Sequence, residues 1–478
     1  MSFKKKFYKD IATLGSYNYL SQIVNFLSTI IVSRFLLPKE YGVVALITVF
    51  SGFVKMFADA GLSYEVIRTD YKQTYYRAIN NLSLYVGIML FLLMVALAYP
   101  IALFYNDMKL IIPTIIMSLI FIPQTLNTVP SAILSKRLEF KIKGTLDFIN
   151  NIIIVGLTIL LAYLGASYWA LIIPQLLGCF LLYVAFSIKA DFKFQIKKYK
   201  YTKIGFRKTK GLIGNMSGFN LINYWARNAD KLLVGKFYGG ADLGIYNRSY
   251  RFINLSLTML TQLFGSVLLP SFKKLISEGK KLDKEYYSIL GIISLLNYPI
   301  ALILIGIPNY FVLAMWGKNW IDVAGLIPYF GVLILSQTLI STTGQVFVLI
   351  KKEKTLFLLG SFSAIIMITA IVLGVLSSLV DVARYYAVSY VGIVIPLYLY
   401  FGFYKSFEFP INKVLIFWIP KIILSLSLII TIWLDMELIK DVLIGLYGIH
   451  LIINQYNDIK KLFQAIKTKF IKSISNEQ

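Results

Sequence analysis

The chain has 478 residues, of which 58% are hydrophobic and only 15% are charged, whereas soluble globular proteins carry about 25% charged residues. Its formal net charge is +25, which in a soluble protein would suggest nucleic-acid binding. The basic residues, however, fall mainly between long apolar blocks, where they would face lipid headgroups. Composition therefore excludes an ordinary soluble domain and indicates a membrane protein that does not bind nucleic acid.

The apolar blocks are long enough to cross a bilayer. Ile79–Phe104, Asp147–Leu164 and Leu356–Leu376 are examples, each able to span a hydrocarbon layer of about 30 Å as a helix. They lack the alternation of a membrane β-barrel, and only helices and closed barrels satisfy the backbone in lipid. The fold class is therefore predicted to be an all-α, polytopic membrane protein.

Taken in chain order, the sequence predicts about fourteen transmembrane helices. Their starts lie near Asp10, Tyr41, Ile79, Leu110, Lys143, Ser167, Leu212, Asp242, Tyr286, Asp322, Leu356, Val382, Lys413 and Glu437. Basic clusters at Lys189–Lys210 and Lys460–Lys472 lie on one side of this arrangement. The positive-inside rule then places both termini of this multi-pass protein in the cytoplasm.

The chain contains an internal repeat. A shift of 202 residues lays Ile30–Phe35 over Leu232–Phe237 and Gly42 over Gly244. Six predicted helices separate the two copies, so both insert in the same direction as parallel repeats. The predicted domains are an N-terminal six-helix lobe (1–190), a basic cytoplasmic linker (191–211), a second six-helix lobe (212–405), two additional helices (406–456) and a basic, amphipathic cytoplasmic tail (457–478).

Several segments resemble a known family. Arg34–Gly42 is similar to the first external turn of the polysaccharide-exporting branch of the MOP superfamily. Asn228–Phe252 is similar to the hairpin of the seventh and eighth helices in Wzx-type flippases, especially the colanic-acid and exopolysaccharide exporter group. Supporting segments are Phe57–Leu62, Leu134–Phe140, Gly165–Leu171 and Leu269–Phe272, and the likeness covers roughly residues 10–350.

This resemblance implies two six-helix lobes around a central cavity that opens alternately to each side. The implied activity is translocation of polyprenyl-pyrophosphate-linked oligosaccharide from the inner to the outer leaflet of a bacterial cytoplasmic (inner) membrane. We do not expect an enzyme, because the sequence contains no Asp-x-Asp motif, His/Cys metal spacing, phosphate-binding P-loop or nucleophile triad. The implied partners are the lipid-linked oligosaccharide, membrane lipids and other proteins of polysaccharide assembly such as a glycan polymerase. We expect neither a cofactor nor a metal site.

Charged residues within predicted helices are the candidate site, because an ionised side chain at mid-bilayer costs at least ~2.5–3.5 kcal/mol and usually faces a cavity or a partner. Guanidinium groups bind phosphate oxygens in a bidentate way, which suits a pyrophosphate. The candidate pyrophosphate ligands are Arg227, Lys231, Arg248, Arg251, Arg34 and Lys55. The alternative interpretation is structural, with Arg227 paired to Asp230 and the arginines of helix eight reaching the outer headgroups.

Amide and aromatic side chains on the same hairpin are the candidate contacts for the glycan. They are Asn220, Asn223, Tyr224, Trp225, Asn228, Tyr246, Asn247 and Tyr250. Three carboxylates are candidates for ion coupling: Asp59, Asp147 and Asp230. Asp59 is equally consistent with a neutral pair with Lys55, and Asp147 with helix capping.

Two other functions remain open from sequence. A MATE-like, cation-coupled small-molecule exporter would share the fold but would favour carboxylates in its cavity. A membrane glycan polymerase would need a large external loop or a metal-binding acidic motif. Neither the loop nor the motif is present, so the flippase hypothesis is preferred.

Overall fold

The computed structural model describes residues 3–58, 62–68, 73–195, 224–225, 227–258 and 282–454, together with 268, 272–273, 278 and 456. The described residues form helices and the turns between them, and no strand occurs among them. The predicted all-α class is confirmed. The predicted sites Asp59, Asn220 and Asn223, most of the basic linker and the tail at 457–478 lie outside the described residues.

The chain forms two compact units. The first comprises Met1–Ile245 with Met315–Asn319, and the second comprises Tyr246–Ala314 with Trp320–Gln478. The predicted boundaries of the two lobes and the two additional helices stay a prediction.

Nine α-helices, both long and short, are described in the N-terminal part of the chain. They are α1 Phe3–Val32, α2 Pro38–Lys55, α3 Leu62–Arg68, α4 Gln73–Tyr105, α5 Ile111–Ser118, α6 Phe121–Leu126, α7 Thr128–Lys136, α8 Phe140–Tyr163 and α9 Trp169–Lys189. Residues 227–258, here called the central hairpin, are helical on both sides of a turn at Gly239.

The remaining helices belong to the C-terminal part. They are α10 Leu282–Gly306, α11 Pro308–Met315, α12 Val323–Ser341, α13 Thr343–Leu349, α14 Glu353–Val375, α15 Leu379–Ser389, α16 Ile411–Trp433 and α17 at residues 437–454. Wider helical turns continue α15 through Tyr390–Val394 and Tyr398–Tyr404.

Within the described residues, nine helical segments are long and apolar enough to cross a membrane. They run from Gln73–Tyr105 to Ile411–Trp433, and each begins within a few residues of a predicted start. The starts agree because uninterrupted apolar length decides whether a helix can be held in lipid. The full count of fourteen stays a prediction.

Each unit has an interior of buried apolar side chains. In the first unit, Leu62, Ile79, Val129 and Phe186 belong to one cluster of buried apolar residues that joins four helices. In the second unit, α12 is buried along nearly its whole length. A helix that is apolar on all sides belongs in the core of a helical assembly, so α12 forms the centre of that unit.

The central hairpin reverses the chain at Gly239. Gly239 has a φ of +83°, a conformation that glycine adopts without steric cost. A Cβ built on Gly235 would lie 3.2 Å from Cδ2 of Leu243, whereas a straight helix would separate residues eight apart by about 12 Å. The two sides of the hairpin therefore fold back on each other, as the family resemblance implies.

The first unit also contains direct geometric evidence for the repeat. A Cβ on Gly42 would overlap the backbone oxygen of Gly240, and a Cβ on Gly244 would overlap the backbone oxygen of Pro38. The 202-residue shift that relates Gly42 to Gly244 also relates Pro38 to Gly240. The two contacts are thus one contact made twice, as a two-fold relation requires.

The basic residues of the repeat occupy similar settings. Arg34 corresponds to Lys236. Lys236 donates to the carbonyl oxygen of Phe104, just before the turn at Asn106, which has a φ of +55°. The Arg34 guanidinium lies 2.9 Å from where a Cβ would stand on Gly317, in a turn with a φ of +86°. Each copy of the repeat therefore sets its basic side chain against a tight turn.

Candidate functional site

Two aromatic residues predicted to contact glycan pack against α2 in the first unit. The Tyr224 hydroxyl donates to the carbonyl oxygen of Val49 at 2.6 Å. The Trp225 ring lies 5.1 Å from the ring of Phe53 and 6.1 Å from that of Phe50. These four rings, Phe50, Phe53, Tyr224 and Trp225, are called the aromatic patch below.

The sequence of α2 explains why the patch forms. Phe50 and Phe53 are three residues apart and therefore share one face of the helix. Gly52 leaves room beside them, because a Cβ there would stand only 2.5 Å from the Tyr224 hydroxyl. Aromatic rings at these separations attract one another through edge-to-face and tilted contacts. The patch is therefore a packed surface, and all four of its members remain partly exposed.

Cationic side chains follow the patch along the first half of the central hairpin. Arg227 is exposed, and it lies twelve residues before Gly239, or about 18 Å along a helix. Lys231 is half-buried and donates to Asn228 Oδ1 at 3.2 Å. Asn228 in turn donates to the carbonyl oxygen of Tyr224 at 2.9 Å. Lys231, Asn228 and the Tyr224 carbonyl group thus form a chain of hydrogen bonds that begins at the patch, and the exposed Arg227 lies on the same stretch of helix.

The other predicted charges of the first unit occupy different settings. Lys55 is exposed at the C-terminal end of α2. Asp230 is buried with only 5% of its surface exposed. Asp147 is half-buried in α8, one turn after Lys143, near a contact in which Thr145 Oγ1 donates to the Tyr17 hydroxyl at 3.1 Å. Arg34 lies against the Gly317 turn described above.

In the second unit, the predicted residues divide into packed and accessible groups. The Arg248 guanidinium is 4.3 Å from the ring centroid of Trp320, and these side chains are 4% and 0% exposed. Tyr246 is also fully buried, 6.0 Å from the parallel ring of Tyr250. A guanidinium is attracted to the face of an indole, so in this structure the Arg248 side chain is packed against Trp320.

The accessible group of the second unit has three members. Arg251 is exposed, while Asn247 and Tyr250 are half-buried. The Tyr250 and Tyr386 hydroxyl oxygens are 3.5 Å apart. In the described part of the chain, no group of three His, Cys, Asp or Glu side chains could hold a metal ion.

Sequence reasoning missed Phe50 and Phe53 because phenylalanine in a membrane helix is common. Phe50, Phe53 and Phe57 lie three and four residues apart, and this helical spacing was the signal that the sequence offered. It also missed Trp320 and Gly317, which lie far along the chain from Arg248 and Arg34. Only tertiary structure could have identified those partners.

Comparisons with known proteins agree with this architecture. Residues 31–325 match the family described as polysaccharide biosynthesis protein. The lipopolysaccharide biosynthesis protein WzxC of Escherichia coli (strain K12) is 23% identical over 275 residues, which is 56% of this chain and 54% of WzxC. Matches to the curated relatives cover 54–66% of those relatives' own length.

Solved structures share the fold. The lipid II flippase MurJ in an inward closed conformation has a TM-score of 0.67 at 15% identity, covering 93% of this chain and 99% of MurJ. An inward-facing multidrug MATE transporter of the MOP superfamily has a TM-score of 0.59 at 14% identity, covering 81% and 95%. The predicted family is confirmed: this chain, whose fold is similar to those of the MurJ and MATE structures, belongs to the polysaccharide biosynthesis protein family.

Proposed function

We propose that this protein is a flippase for polyprenyl-pyrophosphate-linked oligosaccharide. It moves this lipid from the inner to the outer leaflet of the cytoplasmic membrane by alternating access, for extracellular polysaccharide or O-antigen biosynthesis. Both termini are cytoplasmic in this proposal, and a glycan polymerase receives the product. The names of the relatives support a role in polysaccharide biosynthesis, and the fold supports transport.

The exposed Arg227 side chain is the observation that carries the proposal. Its position, about 18 Å from the hairpin turn, would place a bare guanidinium deep in hydrocarbon if it faced lipid. Because that cost is several kcal/mol, we propose that the side chain faces a polar cavity. Thr48 on α2, one residue from the acceptor of Tyr224, is exposed as well. The two helices therefore present polar groups to one cavity wall.

The chemistry of this wall suits a pyrophosphate. Arg227 offers a bidentate donor set for phosphate oxygens, and Lys231 adds an ammonium four residues later on the same helix face. Lys55, Arg251 and Asn247 remain proposed contacts from elsewhere in the chain. With the cell interior negative, outward movement of each negative charge is favourable by ~2.3 kcal/mol per 100 mV. A coupling cation is therefore not required.

The test is a leaflet-exchange assay with the full-length protein in liposomes. A short-chain polyprenyl-pyrophosphate oligosaccharide is placed in one leaflet, and its arrival in the other is followed in time. We expect wild type and Lys354→Gln, an exposed cation at the start of α14, to move the lipid at equal rates. We expect Arg227→Gln to lower the rate at least tenfold.

The same preparation separates the alternatives. Export of cationic dyes without lipid movement would favour a MATE-like exporter. Growth of the glycan chain would favour a polymerase. Unchanged lipid movement in Arg227→Gln would remove this residue from the mechanism.

A further inference from the structure

The aromatic patch differs from the buried aromatic clusters of this protein. Tyr246 and Tyr286 are 0% exposed, as expected for rings that only fill a core. Phe50, Phe53 and Trp225 instead stay partly exposed beside the exposed side chains of Thr48 and Arg227. The aromatic patch therefore lies on the same proposed cavity wall as Arg227, the side chain proposed to bind the pyrophosphate.

The ring of Trp225 is fixed from several directions. Phe53 lies tilted at 5.1 Å, Phe50 meets the indole edge-to-face at 6.1 Å, and Tyr224 is 5.7 Å away at an angle of 87°. Tyr224 is itself held by its bond to the Val49 carbonyl oxygen. A ring that is already ordered loses little entropy when a ligand covers it. The aromatic patch is therefore preorganised for contact with a ligand.

The spacing along the helix connects this surface to phosphate. Tyr224, a member of the patch, precedes Arg227 by three residues, a spacing that places both side chains on one face of a helix with a rise of about 4.5 Å between them. The Tyr224 ring lies 5.7 Å from that of Trp225, and Asn228 donates to the Tyr224 carbonyl oxygen in the same turn. A ligand with an anionic group at Arg227 would place its next few ångströms against the aromatic patch. In a lipid-linked oligosaccharide, either the first sugars or the first isoprene units occupy that distance.

We infer that the aromatic patch is a saccharide platform that holds the sugar next to the pyrophosphate, with Phe50, Phe53 and Trp225 as its stacking surface. The inference rests on the proposed function. A pyranose presents C–H groups on one face, and these meet the negative face of an aromatic ring favourably. Its hydroxyl groups need polar neighbours, which Thr48 and Asn228 supply. An isoprene chain would gain nothing from those polar groups.

The test compares two probes on the purified, full-length protein in nanodiscs. One probe is a short-chain polyprenyl pyrophosphate carrying a disaccharide, and the other is the same lipid without sugar. Equilibrium dissociation constants are measured for wild type, Phe53→Leu, Trp225→Leu and Trp225→Phe. Phe35→Leu is the matched control, because Phe35 is an exposed aromatic residue that pairs with Tyr163 away from the patch.

The platform predicts a loss that depends on sugar. Phe53→Leu and Trp225→Leu should weaken binding of the disaccharide lipid by roughly threefold to tenfold, and binding of the sugar-free lipid by less than twofold. Trp225→Phe should retain most of the affinity, which guards against a folding defect in the leucine variant. Phe35→Leu should match wild type with both probes.

Three results would overturn the inference. Equal weakening for both lipids would assign the patch to the polyprenyl chain or to packing. Wild-type affinity of Phe53→Leu and Trp225→Leu for the disaccharide lipid would show that sugar does not touch it. Failure of the wild-type protein to bind either lipid would reject the proposed function itself, and the platform with it.

Discussion

The glycines of the two hairpins give the sharpest test of the fold. Gly42 and Gly244 each stand where a Cβ would overlap a backbone oxygen of the other hairpin, on Gly240 and Pro38 respectively. Backbone atoms cannot rotate out of the way, so Gly42→Ala must push the hairpins apart by about 1 Å or more. Overpacking of a close interface costs typically ~1–3 kcal/mol. We expect Gly42→Ala to lower the stability of the purified protein by an amount in this range.

The reciprocal contact also predicts how the stability losses of the two alanine variants combine. Because the same separation relieves both overlaps, the first alanine already makes room for much of the second. The loss of stability in Gly42→Ala/Gly244→Ala should therefore be smaller than the sum of the two single losses, as for sites that share a backbone shift.

The measurement is thermal or denaturant unfolding in detergent, followed by the fluorescence of the protein's six tryptophans. Gly156→Ala is the control, since this exposed glycine of α8 has nothing within 4 Å of its Cβ position. Its stability should be unchanged or slightly raised, because alanine favours helix over glycine. Wild-type stability in Gly42→Ala, or strictly additive losses in the double variant, would refute the reciprocal contact.

The remaining predictions concern single side chains. Tyr224→Phe deletes the hydroxyl that donates to Val49 and should cost about 1 kcal/mol in an unfolding experiment; no loss would mean that this bond is not made. Lys413→Met removes the ammonium 2.7 Å from the buried Asp283 carboxylate and should cost roughly 1–3 kcal/mol, much of it restored by adding Asp283→Asn; an unrestored loss would contradict the pairing. Lys421→Met replaces an ammonium that is only 2% exposed in mid-helix, donates to the Phe417 carbonyl oxygen at 3.1 Å and lies 3.7 Å from the centroid of the Phe417 ring. This change should raise stability, since a charge inside a membrane helix costs ~2.5–3.5 kcal/mol; lower stability would show that the contacts with Phe417 outweigh that cost.

Much of the architecture followed from properties that the sequence encodes locally. Apolar length determines which segments are held in lipid, so the nine described spans begin close to their predicted positions. The repeat could be recognised because it preserves residue type at a fixed offset, and Gly42 and Gly244 proved to make equivalent contacts. Helical spacing of three and four residues likewise accounts for the hydrogen bonds that Asn228 makes with Lys231 and with the Tyr224 carbonyl oxygen. Apolar length, residue type at a fixed offset and helical spacing can all be read directly from the sequence.

The roles of individual charges were decided by tertiary structure. The residues next to Arg248 in the sequence do not predict that the indole of Trp320, more than seventy residues later, packs against its guanidinium. Arg34 meets the turn at Gly317, and Trp225 meets Phe50 and Phe53, through contacts of the same long range. A sequence fixes which side chains are cationic or aromatic, because that is chemistry within a residue. Whether such a side chain is packed against a partner or presented to a cavity depends on helices that the chain brings together only when it folds.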